Sequence, residues 1–207
     1  MCSACGCETS GAEEIICRSC RSSLEQNFSV KTGFISGRKF VYGYDYCGEI
    51  RQVIVNCKFN CRKELLPFLA GIVEKLMPNR MDGKVYLVPV PSRDNSEARF
   101  DHLAGIAGCL AGGNRTQLLP VLNWSRSVRR QVGLSRRDRL VNLTGALCLD
   151  GPLPASGDFI VFDDVITTGA TFLAAAAVLP PDRTSGLMLA HGEDPAGVEG
   201  ASRDAKE

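Results

Sequence analysis

Asp163 and Asp164 stand side by side, and only Val165 and Ile166 separate them from the run Thr167-Thr168-Gly169-Ala170-Thr171. Carboxylates are acceptor-only groups, so a pair of them suits the hydroxyls of a sugar better than the oxygens of a phosphate. The threonine-glycine run has the opposite character. Thr168 and Thr171 offer hydroxyl donors, and Gly169 lets the backbone come close to an anion. The free N–H groups and positive dipole end of a following helix would attract the same anion. Together these residues describe a site for a sugar phosphate. The competing reading is a strand that ends in a chance acidic turn.

The elements needed to position them are legible nearby. Phe159-Ile160-Val161-Phe162 is apolar at four successive positions, which predicts a strand buried on both faces, as in a parallel sheet. The acids then fall where that strand leaves the sheet. The alanine-rich stretch from Phe172 to Leu179 predicts a helix, so the threonine-glycine run is the turn between strand and helix.

A second cluster points to metal. Cys2-x2-Cys5 and Cys17-x2-Cys20 are two short knuckles with residues 6–16 between them. Each knuckle lets two thiolates converge on one cation, and two knuckles complete a tetrahedral four-cysteine zinc shell. No histidine lies near, so the shell would be closed and structural. Cys7 is a spare that can replace Cys5 as a ligand, and reduced surface thiols or a redox pair are the alternative. A segment this short cannot bury a core of its own, so the metal would substitute for one.

Composition bounds the rest. The chain has 207 residues, is 44% hydrophobic and carries 24 basic against 23 acidic side chains. That content suits a packed core, and the balanced charge excludes a polyanion binder over the whole surface. No apolar run reaches the roughly 20 residues that cross a bilayer. MCSACGCETS lacks the basic and apolar regions of a secretory signal, so the ten cysteines read as thiols or metal ligands in a cytoplasmic protein.

In chain order, Phe40, Tyr42, Tyr44 and Tyr46 alternate as in a strand. Ile50, Val53, Ile54 and Cys57 share one helical face, as do Leu65, Leu66, Leu69, Ile72, Val73 and Leu76. Lys58, Arg62 and Lys63 between them read as a solvated basic turn, with a phosphate contact as the alternative. Cys57 and Cys61 read as core or surface thiols. Lys84–Val90 is a further buried strand, followed by Pro91-Ser92-Arg93 and a helix over 98–111, which makes a βα unit. Gln117–Asn123 and Thr184–His191 are the remaining strands, and 192–207 is a polar tail predicted to be disordered. Residues 125–142 hold six arginines against one acid, Asp138. This stretch reads as an active-site lid, as a nucleic-acid patch, or as a solvated loop. The expected architecture is α/β, a mainly parallel sheet flanked by helices. A zinc-ribbon-like module occupies 1–24, the core domain 25–191 and the tail 192–207.

DDVITTGAT closely resembles the signature of type I phosphoribosyltransferases, which bind 5-phosphoribosyl 1-pyrophosphate (PRPP). The double CxxC, YCGEIRQVIVNCKF, VPVP, FDHLA, RRQVGLSRRDRLVN and DDVITTGAT, taken in this order, resemble the ComF family over most of the chain. Its members are phosphoribosyltransferase-like proteins with an N-terminal zinc ribbon, linked to bacterial DNA uptake in competence or to use of external DNA. The resemblance implies a type I phosphoribosyltransferase fold and a magnesium–PRPP substrate. It places Thr167, Thr168, Gly169, Ala170 and Thr171 on the 5-phosphate, and Asp163 and Asp164 on the ribose hydroxyls. The backbone of Val90, Pro91, Ser92 and Arg93 would hold pyrophosphate, with Arg93 and Arg99 near it, while Arg129, Arg130 and Gln131 would close over it. Gln131, Leu134, Arg136, Arg139 and Asn142 match the family's lid pattern, and Lys58 its usual lysine-aromatic position.

The implied reaction is displacement of pyrophosphate at the anomeric carbon by a nitrogen nucleophile. The chain departs from the family in RDNSEARFD, where Arg99 replaces the glycine of an Arg-Gly-Phe run. Thr167 also stands where related purine transferases often carry a general-base aspartate, and a threonine is no base at neutral pH. A reading of another class is a non-catalytic DNA-handling protein, with the basic segment on single-stranded DNA and the ribbon on partner proteins of the competence machinery. A third is an effector sensor that binds PRPP without turnover.

Overall fold

The computed structural model describes residues 1–9, 11, 14–78, 83–92, 100–110, 116–125 and 142–192. Arg93, Arg99, Arg129, Arg130 and Gln131, the other residues of 126–141 and the tail beyond 192 lie outside them. The main element is a six-stranded sheet. β1 (Lys31–Ile35) and β2 (Arg38–Asp45) form an antiparallel hairpin, and β3 (Val85–Pro89), β4 (Thr116–Leu118), β7 (Asp158–Ile166) and β8 (Thr184–His191) complete it. The order is β1-β2-β8-β7-β3-β4, with every neighbour pair after the hairpin parallel. β5 (Leu122–Trp124) and β6 (Leu147–Leu149) pair separately and antiparallel.

Among the described residues α1 (Arg18–Asn27) precedes the strands, and α2 (Gly48–Phe59), α3 (Leu66–Leu76), α4 (His102–Leu110) and α5 (Ala170–Ala176) lie between them. From β3 the chain passes through α4 to β4 on one side, then returns across the sheet to β7, and passes through α5 to β8 on the other side. Parallel crossovers are right-handed, so this reversal of direction puts α4 and α5 on opposite faces. α3 packs on α4 and against β2 and β8, while α5 packs on β7, β8 and β6. Gly186, the register partner of Val161, is the contact point of α5: a Cβ there would lie 2.9 Å from the Phe172 ring. Side chains alternate along β7, so Phe159, Val161, Asp163 and Val165 face α5, and Ile160, Phe162, Asp164 and Ile166 face the α2–α4 layer.

The central strands are buried because both faces are covered. Phe159, Val161 and Phe162 have no exposed surface, nor do Leu187, Met188, Leu189 and Ala190. Three expectations need correction. β7 does not stop at Phe162 but stays in register with β8 as far as Ile166, opposite His191, so the acids sit inside the strand. The single strand over Gln117–Asn123 is two short strands in two sheets. Pro120 lies between them, and a residue without an N–H cannot continue a ladder. The helix after the threonine-glycine turn starts earlier, at Ala170, and ends at Ala176.

The N-terminal segment has no core of its own. Ile16, Cys20 and Leu24 are buried in the same cluster as Val53, Ile54 and Cys57, and α1 runs unbroken through residue 24 and packs on α2. Only Cys20 and Leu24 of α1 are buried, too few to give a helical apolar period that the sequence would reveal.

Phe162 fixes the strand directly ahead of the acids, so its truncation should cost stability in full. Phe162→Ala is expected to lower the unfolding free energy by about 3–5 kcal/mol, read from urea denaturation. A loss below about 1 kcal/mol would contradict this packing.

Candidate functional site

The point where strand order reverses lies between β3 and β7. In open α/β sheets the crevice outside the carboxyl ends of the strands at such a point is where ligands bind. The residues that converge there come from five segments. β7 supplies Asp163 and Asp164, the turn to α5 supplies Thr167–Thr171, the end of β3 supplies Val90, Pro91 and Ser92, and α2 with α4 supplies Lys58 and His102.

Asp164 is almost fully buried, at 4% exposure, and three donors of the protein meet its two oxygens. Its Oδ1 accepts the N–H of Val165 at 2.8 Å. Its Oδ2 accepts Lys58 Nζ at 2.6 Å and lies 2.9 Å from His102 Nε2. A carboxylate only accepts, so His102 Nε2 carries the proton of that bond. Lys58 belongs to the last turn of α2, and His102 opens α4. Burial alone would raise the Asp164 carboxyl. The hydrogen bond from His102 and the Lys58 ammonium outweigh it and hold the group below the usual carboxylate range. Burial also works against the charge on Lys58, but Asp164 and then Asp163 keep it above its ordinary value.

Asp163 is treated differently. It is half-buried, its Oδ1 accepts the N–H of Asp164 at 2.9 Å, and among the described residues it makes no ion pair. Burial first, and the neighbouring Asp164 charge second, push it up to about 7 against the pull of Lys58. Two adjacent carboxyls thus have one lysine between them, and the inner one holds it.

The turn after β7 is built around Gly169. Its φ of 72° lies in the left-handed region, and a Cβ there would fall 2.4 Å from Ile35 Cδ1. Glycine is therefore favoured by the conformation of the turn, while the Ile35 methyl at the end of β1 packs against it. Thr168 is buried and its Oγ1 accepts the N–H of Ala170 at 3.4 Å, while Thr167 is exposed and Thr171 half-buried. On the β3 side, the N–H of Val90 donates to Phe162 O at 2.9 Å, which extends the β3–β7 pairing. The N–H of Ser92 donates to Asp101 Oδ2 at 3.3 Å, and Asp101 Oδ1 caps α4 through the N–H of Ala104 at 3.0 Å. Trp124 Nε1 donates to Pro91 O at 3.1 Å, anchoring the β5–β6 hairpin to this loop. The N–H groups of Val90 and Ser92 are thus already engaged within the protein, and Pro91 has none.

Sequence reasoning placed Asp163, Asp164 and the Thr167–Thr171 turn together, and the fold brings them together with the β3 loop. It read Lys58 as part of a solvated turn or a phosphate contact, whereas the structure pairs it with Asp164. It gave His102 no role. No local signal links these groups, because Lys58 and His102 stand 106 and 62 residues from Asp164 in the chain.

The cysteine cluster is a separate site. The Sγ atoms of Cys2, Cys5, Cys17 and Cys20 all lie within 4.8 Å of one another. Zinc–sulfur bonds of about 2.3 Å at tetrahedral angles require sulfurs about 3.8 Å apart. The Cys5–Cys17 separation is 3.8 Å. Cys7 Sγ sits 3.2 Å from Cys5 Sγ, too close for both to bind one zinc in that geometry. Burial opposes the Cys2 thiolate, but the N–H groups of Cys17, Cys5 and Ala4 outweigh it and bring the thiol down to about 6. The donor set therefore fits a tetrahedral zinc. Cys57, by contrast, is a fully buried core thiol that burial pushes up to about 12. Among the described residues no helix is long and apolar enough to cross a membrane.

No protein-family model matches the chain, and no curated protein matches it.

The split between the acids gives a pH signature. The Asp163 carboxyl titrates near 7 when folded and near 4 when unfolded, so its contribution to stability is present below about 4 and is lost as pH rises through about 7. Asp163→Asn is therefore expected to melt above the wild type at pH 8, with the gain vanishing toward pH 4, by differential scanning fluorimetry. A variant that melts below the wild type at pH 8 would contradict it.

Proposed function

We propose that the chain is a phosphoribosyltransferase of the ComF kind, with a type I phosphoribosyltransferase fold and a structural zinc. The observation that carries this reading is the convergence at the β3–β7 reversal point of a carboxylate, a threonine-glycine turn opening α5, and the loop after β3. In this reading the turn from Thr167 to Thr171 takes the 5-phosphate, and β7 brings a carboxylate to the ribose hydroxyls. The loop after β3 takes the pyrophosphate through Arg93, since the N–H groups of Val90 and Ser92 are engaged within the protein, with Arg129, Arg130 and Gln131 closing over it. The nucleophile is a nitrogenous acceptor, attacking the anomeric carbon as pyrophosphate leaves through an oxocarbenium-like state. Among the described residues Asp163 carries no ion pair, which suits a site where an oxygen-loving cation arrives with its substrate. Magnesium bound to the pyrophosphate would neutralise the leaving group. Held by Cys2, Cys5, Cys17 and Cys20, zinc would stand in for the core that the first residues lack.

Two measurements test the parts independently. Purified protein is expected to hold one zinc by elemental analysis, retained in Cys7→Ser and lost in Cys17→Ser; a metal-free folded protein would remove the zinc assignment. Titration calorimetry with magnesium–PRPP is expected to give micromolar binding, abolished in an Asp163→Ala/Asp164→Ala variant. Absence of binding by folded, zinc-loaded protein would remove the transferase reading in favour of a non-catalytic role on single-stranded DNA.

A further inference from the structure

Adjacent acids in a ribose site invite the assumption that both touch the ribose. The geometry divides them. Asp163 and Asp164 are consecutive residues of one regular strand, paired in register with β8 on both sides of the pair through Asp163↔Met188 and Val165↔Ala190. Consecutive strand residues face opposite sides of a sheet. Asp164 faces the α2–α4 layer, where one oxygen meets both Lys58 and His102 and the other is taken by a backbone N–H. Asp164 is 4% exposed, and a ligand hydroxyl that took its Oδ2 would displace Lys58 or His102 and leave a charged or polar group without its partner. Asp163 faces the α5 side, is half-buried, and has no ion pair among the described residues.

We propose that Lys58 and His102 are positioning residues: they hold Asp164 as an internal anchor and leave Asp163 as the acid of the pair that meets a ligand hydroxyl. The ligand half of this assignment rests on the PRPP-site reading. The anchor half rests on the contacts alone. Functionally, the anchor ties β7 to the last turn of α2 and the first residue of α4, which fixes the strand end, and so the Asp163 carboxylate, relative to the turn that follows.

The test combines thermal melts with calorimetric titration of magnesium–PRPP. Asp163→Asn is expected to weaken affinity about tenfold or more, with a Tm at or above wild type, because a hydrogen bond to a charged acceptor is lost without loss of packing. Asp164→Asn takes the charged acceptor from a part-exposed Lys58 ammonium and from the buried His102, and its Tm is expected to fall by about 3–12 °C. Titrated well below that Tm, its affinity should stay within about threefold of wild type. Lys58→Met should also melt early, with Lys58→Arg recovering most of the loss through its retained charge. If Asp164→Asn does not fold, the Lys58→Met/Asp164→Asn pair, which removes both charges, takes its place in the titration.

An Asp164→Asn variant that loses as much affinity as Asp163→Asn at unchanged Tm overturns the division of roles. So does a Lys58→Met variant as stable as wild type. If wild-type protein binds no PRPP, the proposed function falls and the ligand half falls with it, while the melts of the Lys58 and Asp164 variants still decide the anchor.

Discussion

The interaction on which the rest depends is the buried carboxylate of Asp164 with Lys58 and His102. An ionised carboxylate taken out of water costs several kcal/mol unless charge and hydrogen bonds replace the water it leaves. Here three donors from three elements do so: Lys58 from α2, His102 from α4 and the backbone of Val165. The compensation works only in one arrangement of strand and helices. The contact therefore contributes less as net stability than as a constraint on where the end of β7 lies. Replacing such a group by an apolar one is often neutral, whereas removing one partner is not, so the arrangement favours geometry over strength.

α2 is the element through which this constraint reaches the N-terminus. Three successive residues near its end act in different directions. Asn56 Nδ2 donates to Ser3 O at 2.7 Å, inside the first cysteine knuckle. Cys57 fills the shared core without exposed surface, and Lys58 reaches Asp164. Cys2, Cys17 and Cys20 are buried in that same core. A metal-compatible cluster and the acid pair at the end of β7 are thereby joined by one helix and a common apolar interior. The second constraint is chain direction. One reversal of strand order puts α4 and α5 on opposite faces and opens the crevice between β3 and β7, and Gly169 lets β1 close against the turn beside it.

Much of this was legible in the sequence because its causes are local. The apolar run Phe159–Phe162, the helical faces of α2 and α3, the β8 strand and the CxxC spacing each follow from side chains a few residues apart. The threonine-glycine turn was legible for the same reason, since Gly169 answers to a single φ angle. What misled was also local: a continuous apolar count across Pro120 suggested one strand, where the missing N–H divides the ladder into two, and the polar face of α1 hid its helix.

The sequence by itself determined that a mainly parallel α/β sheet would form, that four cysteines could converge, and that two acids would precede a threonine-glycine turn. It could not decide which acid faces inward. Asp163 and Asp164 are chemically identical and adjacent, so no propensity separates them. Only the register of β7 against β8 assigns each a face, and only the packing of α2 and α4 over that face delivers Lys58 and His102 to one of them. The difference between a carboxyl held below its usual range and one pushed up to about 7 arises from that assignment, because burial and neighbouring charge are properties of the assembled fold.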